Sequence, residues 1–430
     1  MSSRLKGTCE WIFTHPAYTA WISEEHGDER SKVLWISAPA GFGKTVLCTR
    51  VVEHLKGSEP FPVVYFFASP HAQSGGEPSF IVRSWIAQMA QLDSDVLGLV
   101  QKHVVAGQRA SEPIVWSLFR CIVSGIRGCA FALDGFDEYS RARNARARFL
   151  RELKEATAGT ASRILIMSRN ETDIESELST NTDEEAGHII AQCRITKEDV
   201  QNDVSLFSKS VVDEKLPKKD DRLRQDLAER LTKKCEGMFL WIKLQQDQLQ
   251  SGKNAKRLRT IVEDMPVGLH RTYKRNWEVI QNHVPENRKR ALAILEWTIY
   301  AFRPLTVAEV TEALIVERDD DSAMLQWDDL PDEIDEEYIT NDIINTCGGL
   351  VETRAKRPED GARLRTIHLI HQSVREFLLP TVSPGSLNVT KSYLIRTQPS
   401  CQIEQHEHLA MICLTFLDNE DAWQRYTAQN

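Results

Sequence analysis

The sequence predicts an α/β domain on a parallel five-stranded sheet with helices on both faces, followed by a helical domain and a winged-helix domain. Three observations carry that expectation. Between Val33 and Ile195 short apolar runs alternate with longer amphipathic stretches, the pattern of strands buried between helical layers. A glycine-bearing loop separates the first of those strands from the helix after it. Past Thr196 the strand pattern fades and helical spacing takes over, until an apolar run from Leu364 to Ile370 signals a strand again.

Composition sets the bounds. A chain of 430 residues suits two to four modules at roughly 100–200 residues per domain. Hydrophobic residues are 41% and charged residues 27%, near the globular average. No apolar stretch approaches the ~18 residues of a membrane span. With 53 Lys plus Arg against 62 Asp plus Glu, the net charge of −9 argues against wrapping by nucleic acid, and no nucleic-acid partner is expected. The nine cysteines are odd in number and lack CxxC spacing, which argues against a disulfide framework and a structural zinc and fits a reducing compartment. Met1-Ser2-Ser3-Arg4-Leu5-Lys6 is followed by no apolar h-region, so the expected address is the cytoplasm.

In chain order, the expected strands are Val33 to Ser37, Pro62 to Phe67, Cys129 to Leu133, Arg163 to Ser168 and His188 to Ile195. The helices between them are Lys44 to Leu55, Phe80 to Ala90, Arg143 to Ala156 and Thr172 to Leu178. Thr196 with Asp199 has the spacing of an N-cap and its N3 acid, and predicts a helix running towards Val211. Helices over Asp221 to Cys235 and from Gly237-Met238-Phe239-Leu240-Trp241 follow. Pro266 and Gly268 mark a boundary before helices at Tyr273 to Val284 and Arg288 to Tyr300. Thr306 with Glu309 opens a helix to about Val316, Thr340 to Cys347 adds another, and one more begins near Ser373. The acid-rich run from Asp319 to Glu337 reads as a solvated loop, because like charges repel. An apolar helix, His408 to Leu417, closes the pattern. The resulting partition is a lead-in at 1–30, an α/β domain at 31–195, a helical domain at 196–265, a winged helix at 266–380 and a helical tail at 381–430 that starts a further C-terminal region.

The chemistry concentrates at the ends of the predicted strands. Ala38-Pro39-Ala40-Gly41-Phe42-Gly43-Lys44-Thr45 is a P-loop apart from Ala38, which stands where the pattern GxxxxGK[ST] has its first glycine. In such a loop the backbone N–H groups of Ala40 to Val46 turn inward on phosphate oxygens, at the positive end of the following helix. Lys44 reaches the β- and γ-phosphates, and the Thr45 hydroxyl ligates Mg²⁺. A purine nucleoside triphosphate with Mg²⁺ is therefore the expected ligand. Phe131-Ala132-Leu133-Asp134-Gly135-Phe136-Asp137-Glu138 has the form of a Walker B strand. Asp134 at its tip would hold Mg²⁺, and either Asp137 or Glu138 would act as general base. Arg169, after the strand Arg163 to Ser168, sits where a cation could sense a γ-phosphate. His368, His371 and Glu376, or His406, His408 and Glu404, lack a third ligand at matching spacing, so no metal cluster is expected there. Lys253, Lys256, Arg257 and Arg259 read as a solvated helix face.

Together these residues resemble the NACHT class of signal-transduction ATPases, in particular fungal NLR-like proteins related to the N-terminal region of nephrocystin-3. The likeness rests on Gly7-Thr8-Cys9-Glu10-Trp11, Leu34-Trp35-Ile36-Ser37, Asp134-Gly135-Phe136-Asp137-Glu138, Ile166-Met167-Ser168-Arg169 and Gly237-Met238-Phe239-Leu240-Trp241. It extends to Arg303-Pro304-Leu305-Thr306 and to His371-Gln372-Ser373-Val374-Arg375-Glu376-Phe377-Leu378. The resemblance implies a switch governed by ATP and ADP, with slow hydrolysis, self-association on activation, an effector or protein partner in trans, and a role in fungal non-self recognition or programmed cell death. It also implies that His371 reaches the β-phosphate of ADP, although Ser373 with Glu376 could form a capping box and simply start a helix. Near Phe239 the family often carries a proline that this chain lacks. The alternative expectation is an inactive scaffold with the same fold.

Overall fold

The computed structural model describes residues 4–23, 31–58, 61–68, 79–103, 110–126, 128–138, 145–179, 188–319, 322–381 and 409–417. They fall into two compact units, residues 2–264 and 265–430.

The first unit runs α1 (Pro16–Ile22), β1 (Ser31–Ser37), α2 (Lys44–Ser58), β2 (Val63–Phe67), α3 (Ser79–Leu92), α4 (Ser94–His103) and α5 (Glu112–Gly125). It continues with β3 (Ala130–Asp134), α6 (Ala145–Thr157), β4 (Arg163–Ser168), α7 (Thr172–Leu178) and β5 (His188–Arg194), then α8 (Gln201–Lys215), α9 (Asp221–Lys234), α10 (Phe239–Gln245) and α11 (Ala255–Asp264). The five strands form one sheet in the order β2-β3-β4-β1-β5, every pair parallel. Side chains alternate between faces along a strand. Val33, Trp35, Val64, Phe66, Phe131, Leu133, Ile164 and Ile166 share one core cluster with residues of α3, α5, α6 and α7. The alternate residues Leu34, Ile36, Leu165 and Met167 are as fully buried, so both faces are covered, as the unbroken apolar runs foretold.

All five expected strands form. The helices α1, α4 and α5 add to those expected, and α5 shows why. Val115, Trp116, Phe119, Ile122 and Val123 are buried at helical spacing, with Pro113 in the first turn. Yet the run is rich in β-branched residues, and contact with α3 and α6 decides it as a helix. Thr196 and Asp199 make reciprocal bonds, Asp199 Oδ2 accepting from the Thr196 N–H at 2.8 Å, but they close a turn over 197–200 that runs into α8 at Gln201. The lead-in packs on the sheet edge, where Trp21 Nε1 donates to the Lys32 carbonyl at 3.0 Å and α1 contacts β1 and β5.

The second unit runs α12 (Leu269–Gln281), α13 (Pro285–Tyr300), α14 (Val307–Leu314), β6 (Val316–Asp319), β7 (Ser322–Leu325), α15 (Glu336–Tyr338), a π-helical segment (Ile339–Asn345), β8 (Val351–Arg354), β9 (Thr366–Leu369) and α16 (Gln372–Thr381). β8 and β9 pair antiparallel, and β9 also bridges at Thr366 to Thr306, which makes the wing of a winged helix. The capping box of Thr306 and Glu309 forms and opens α14 as expected. The acid-rich run is not a plain loop, because β6 and β7 form an antiparallel hairpin at its start and α15 lies near its end. Backbone pairing and the Asp335 side chain, which accepts from the Tyr338 N–H at 2.8 Å, order a segment that charge alone would leave extended. The helix expected over Thr340 to Cys347 is wound as a π-helix. Of the closing helix, residues 409–417 are helical. His406, His408 and Glu404 lie outside the described residues.

Candidate functional site

The sheet order sets the site. β4 lies between β1 and β3, with Ser37 level with Ser168 and Asp134 level with Met167. The carboxyl ends of these three strands therefore place the P-loop, Arg169 and the acids of residues 134–138 side by side, at the edge where ligands bind in open α/β sheets.

At the tip of β1 the backbone leaves the strand at Ala38, whose N–H donates to the Ser168 carbonyl at 3.2 Å. Gly41 and Gly43 have φ of 83° and 77°, which side chains disfavour, whereas Ala38 is not among the positive-φ residues. The first glycine of the pattern is thus not sterically required, and Ala38 is buried without strain. Lys44 Nζ donates to the carbonyls of Ala38 at 2.9 Å and Pro39 at 3.0 Å, so its ammonium curls back over the loop. Burial lowers its pKa, opposed by the carboxylates of Asp137 and Asp134. Val46 lies in the first turn of α2, 38% exposed, and Ala40 is half-buried.

At the tip of β3 the acids separate into three environments. Asp134 Oδ2 accepts from the Thr45 hydroxyl at 2.6 Å, while Oδ1 is buried with no hydrogen-bond partner among the described residues. Burial pushes the Asp134 pKa up to about 6 against the pull of Thr45 and Lys44. Glu138 is pushed up to about 8, first by burial and then by Asp137 and Asp134. Asp137 is engaged at every oxygen: Oδ1 accepts from the Arg169 N–H at 2.9 Å, Oδ2 from Arg169 Nε at 2.7 Å, and its carbonyl from Arg146 Nη1 at 2.9 Å. Arg146 in turn holds Asp173 through two bonds of 2.8 and 2.9 Å. The two candidate bases are therefore not equivalent. Ser168 is a strut, accepting from Trp35 Nε1 at 2.9 Å in full burial.

The turn before α10 closes over the P-loop. Gly237, at φ 86°, lies so near the Phe42 ring that a Cβ there would sit 2.8 Å from Cε1, and a Cβ on Gly43 would sit 3.5 Å from Phe239 Cδ2. Leu240 N–H points to the Gly41 carbonyl at 3.4 Å. Phe239 edges onto Phe207, with centroids 5.7 Å apart, while Trp241 is fully buried core. The Gly7-to-Trp11 segment is tied in as well: the Cys9 N–H donates to the buried Asp203 Oδ2 at 2.7 Å, and Glu10 pairs with Arg50 of α2 at 2.9 Å. Arg146, Asp173 and Asp203 were not singled out from sequence. Each lies on a helix face where an ion pair or a capping role reads the same as a site role, so no local signal marks them.

His371 belongs to the second unit, just ahead of α16. Its Nδ1 accepts from the Ser373 N–H at 3.1 Å and lies 2.7 Å from Ser373 Oγ, which meets Tyr273 OH at 2.8 Å. α16 starts at Gln372, so Ser373 is already inside the helix and His371 supplies the capping acceptor; the box of Ser373 with Glu376 does not form the start. An accepting Nδ1 puts the proton of a neutral imidazole on Nε2. Among the described residues no group of three or more His, Cys, Asp or Glu side chains is placed to hold a metal by itself, and no helix is long and apolar enough to cross a membrane. Of the basic group near 253–259, Arg259 pairs with Asp226 at 2.6 Å and Lys253 donates to the Gln248 carbonyl at 3.2 Å.

A P-loop on β1, an acid strand one place removed and a winged-helix module downstream define the class: a P-loop NTPase with an appended winged helix. Comparison with known proteins narrows it. Residues 7–169 match the family described as nephrocystin 3, N-terminal, and residues 280–386 match the winged helix domain of GPI inositol-deacylase. The chain is 26% identical over 398 residues to the vegetative incompatibility protein HET-E-1 of Podospora anserina, a match covering 89% of this chain and 27% of that protein. It thus spans about a quarter of that relative's length. Similar solved structures include a Walker-type ATPase of Pyrococcus abyssi, with 11% identity, TM-score 0.36 and coverage of 80% of this chain and 90% of that one. Another is Cdc6p of Pyrobaculum aerophilum, with 13% identity, TM-score 0.32 and coverage of 87% and 94%. These matches support a P-loop NTPase of the NACHT type, a nucleotide-binding class.

Proposed function

We propose that this chain is a nucleotide-controlled switch that binds ATP and ADP with Mg²⁺ at the tips of β1, β4 and β3 and hydrolyses ATP slowly. One observation carries the reading: Thr45 and Asp134 meet at 2.6 Å beside Lys44, and the second Asp134 oxygen is buried with no partner among the described residues. A buried acceptor left unpaired is costly unless a cation or donor meets it, so this donor set fits Mg²⁺. Thr45 and Asp134 would hold the ion, whose charge would offset that of the phosphates. The N–H groups of Ala40, Gly41, Phe42, Gly43, Lys44, Thr45 and Val46 orient those phosphates, and Lys44 exchanges its carbonyl partners for phosphate oxygens. Glu138 takes the proton of the attacking water, because Asp137 is committed to Arg169. The Phe42 and Phe239 contacts couple the P-loop to the turn before α10, and His371 latches the ADP-bound form from the winged helix. In this reading, 31–195 is the NTPase, 196–265 the helical domain and 266–380 the winged helix. Release of the latch permits self-association and recruitment of an effector, in a process akin to the vegetative incompatibility named for its relative.

Thermal unfolding of the purified chain with and without Mg·ADP tests the reading. A ligand at 100 times its Kd adds ~2.7 kcal/mol. Lys44→Ala should abolish that shift, and His371→Ala should speed release of a fluorescent ADP at least ~5-fold. No shift in the unaltered chain would favour the inactive scaffold instead.

A further inference from the structure

Asp137 and Glu138 are neighbours on one short turn, Phe136–Glu138, yet their carboxylates have different surroundings. Among the described residues Glu138 is bound to no cation in this way, and it feels the charges of Asp137 and then Asp134 across the buried tip of β3. The Asp137 side chain is 3% exposed and grips Arg169 twice, at the N–H and at Nε, while Arg146 and Asp173 brace the turn from behind. Arg169 leaves β4 between the P-loop strand and the acid strand, 23% exposed, so its guanidinium lies at the site with the Asp137 carboxylate already against it.

We propose that Asp137 is a positioning and selectivity residue: its carboxylate holds the Arg169 guanidinium, a triphosphate must compete with it for that cation, and the competition sets the preference for triphosphate over diphosphate. This rests on the nucleotide-binding reading above. A guanidinium shared with a buried carboxylate has part of its charge offset, so its attraction for an added phosphate falls. The terminal phosphate of a triphosphate supplies the competing oxygens and a diphosphate does not. Asp137 thereby biases the site towards the diphosphate form without touching the nucleotide, and Arg146 keeps the carboxylate in register.

The test uses the whole 430-residue chain with Mg²⁺. ADP and the non-hydrolysable analogue AMP-PNP each displace a fluorescent ADP, and the ratio of the two Kd values is the readout. Asp137→Asn should move the ratio towards the triphosphate about 5- to 10-fold. In an Arg169→Gln background the same substitution should move it less than about 2-fold, because the competitor has lost its cation. A shift that persists in that background is a general charge effect and overturns the proposal, as does an unmoved ratio in Asp137→Asn alone. Phosphate release separates position from catalysis: Asp137→Asn should lower turnover less than about 10-fold and keep the shape of its pH profile, whereas Glu138→Gln should lower it more than about 100-fold. Equal losses in both would make Asp137 the base. Should Asp137→Asn not fold, Asp137→Glu breaks the two-point grip while keeping the charge, and is expected to move the ratio about 2- to 3-fold in the same direction. No movement there sinks the idea. Failure of the unaltered chain to bind either nucleotide is read first, and it overturns the binding reading together with this one.

Discussion

The tips of β1 and β3 face one another across β4 and solve opposite electrostatic problems. The β1 tip is self-satisfied: its one cation, Lys44, rests on the carbonyls of Ala38 and Pro39. The β3 tip is not: Asp134 has a buried oxygen with no partner among the described residues, and both Asp134 and Glu138 are displaced upward in pKa. A loop that binds anions through its backbone can be well formed without ligand, because its donors face solvent until phosphate arrives. A set of buried acids cannot be relaxed in that way, and its tension is relieved only by a proton or a cation. The ligand-free protein therefore stores its cost at the acid strand.

The strongest way to break that comparison is at Lys44. Lys44→Ala should weaken ADP binding at least ~100-fold, about 2.7 kcal/mol, by calorimetric titration. Stability of the ligand-free chain should fall far less, since only the part-buried bond to the Ala38 carbonyl and the exposed bond to the Pro39 carbonyl are lost. Comparable in size is a pH dependence at the β3 tip. The folded pKa of Glu138 lies at about 8 against an ordinary 4.5, so between those values the folded state binds more protons than the unfolded. Stability from this group is highest below pH 4.5 and declines as pH rises to about 8. Denaturant midpoints from pH 5 to 8, without nucleotide or Mg²⁺, should show a decline of order 2–4 kcal/mol that Glu138→Gln flattens. A flat profile in the unaltered chain would erase the contrast between the tips. Smaller again, Asp134→Asn should stabilise the ligand-free chain at pH 7.5 by about 1 kcal/mol while removing the Mg²⁺ dependence of nucleotide binding. Smallest of all, Ala38→Gly should cost about 0.5–1 kcal/mol through added freedom of the unfolded chain, because Ala38 needs no positive φ.

Two threonine-acid pairs show how far local sequence reaches. Thr306 and Glu309 form their reciprocal bonds and a helix follows at once. Thr196 and Asp199 form them too, yet the helix waits until Gln201. The bonds are local and legible in both, yet they do not by themselves fix the residue at which the helix begins. Among the acids the same limit holds. Asp134 at the strand tip was readable from the motif, but Asp137 and Glu138 were interchangeable until the Arg169 contact separated them.

By itself the sequence determined the five strands, the P-loop with its Lys44 and Thr45, the acid strand and the winged helix. Each is written in periodicity or in a motif whose chemistry is local. Only the tertiary structure decided the order β2-β3-β4-β1-β5, and with it the placing of Arg169 between the two tips, the grip of Asp137, the bracing by Arg146 and the seating of Phe42 on Gly237. The reason is physical: strand order and burial arise from packing between segments far apart in the chain, and burial is the first cause of the raised pKa values of Asp134 and Glu138.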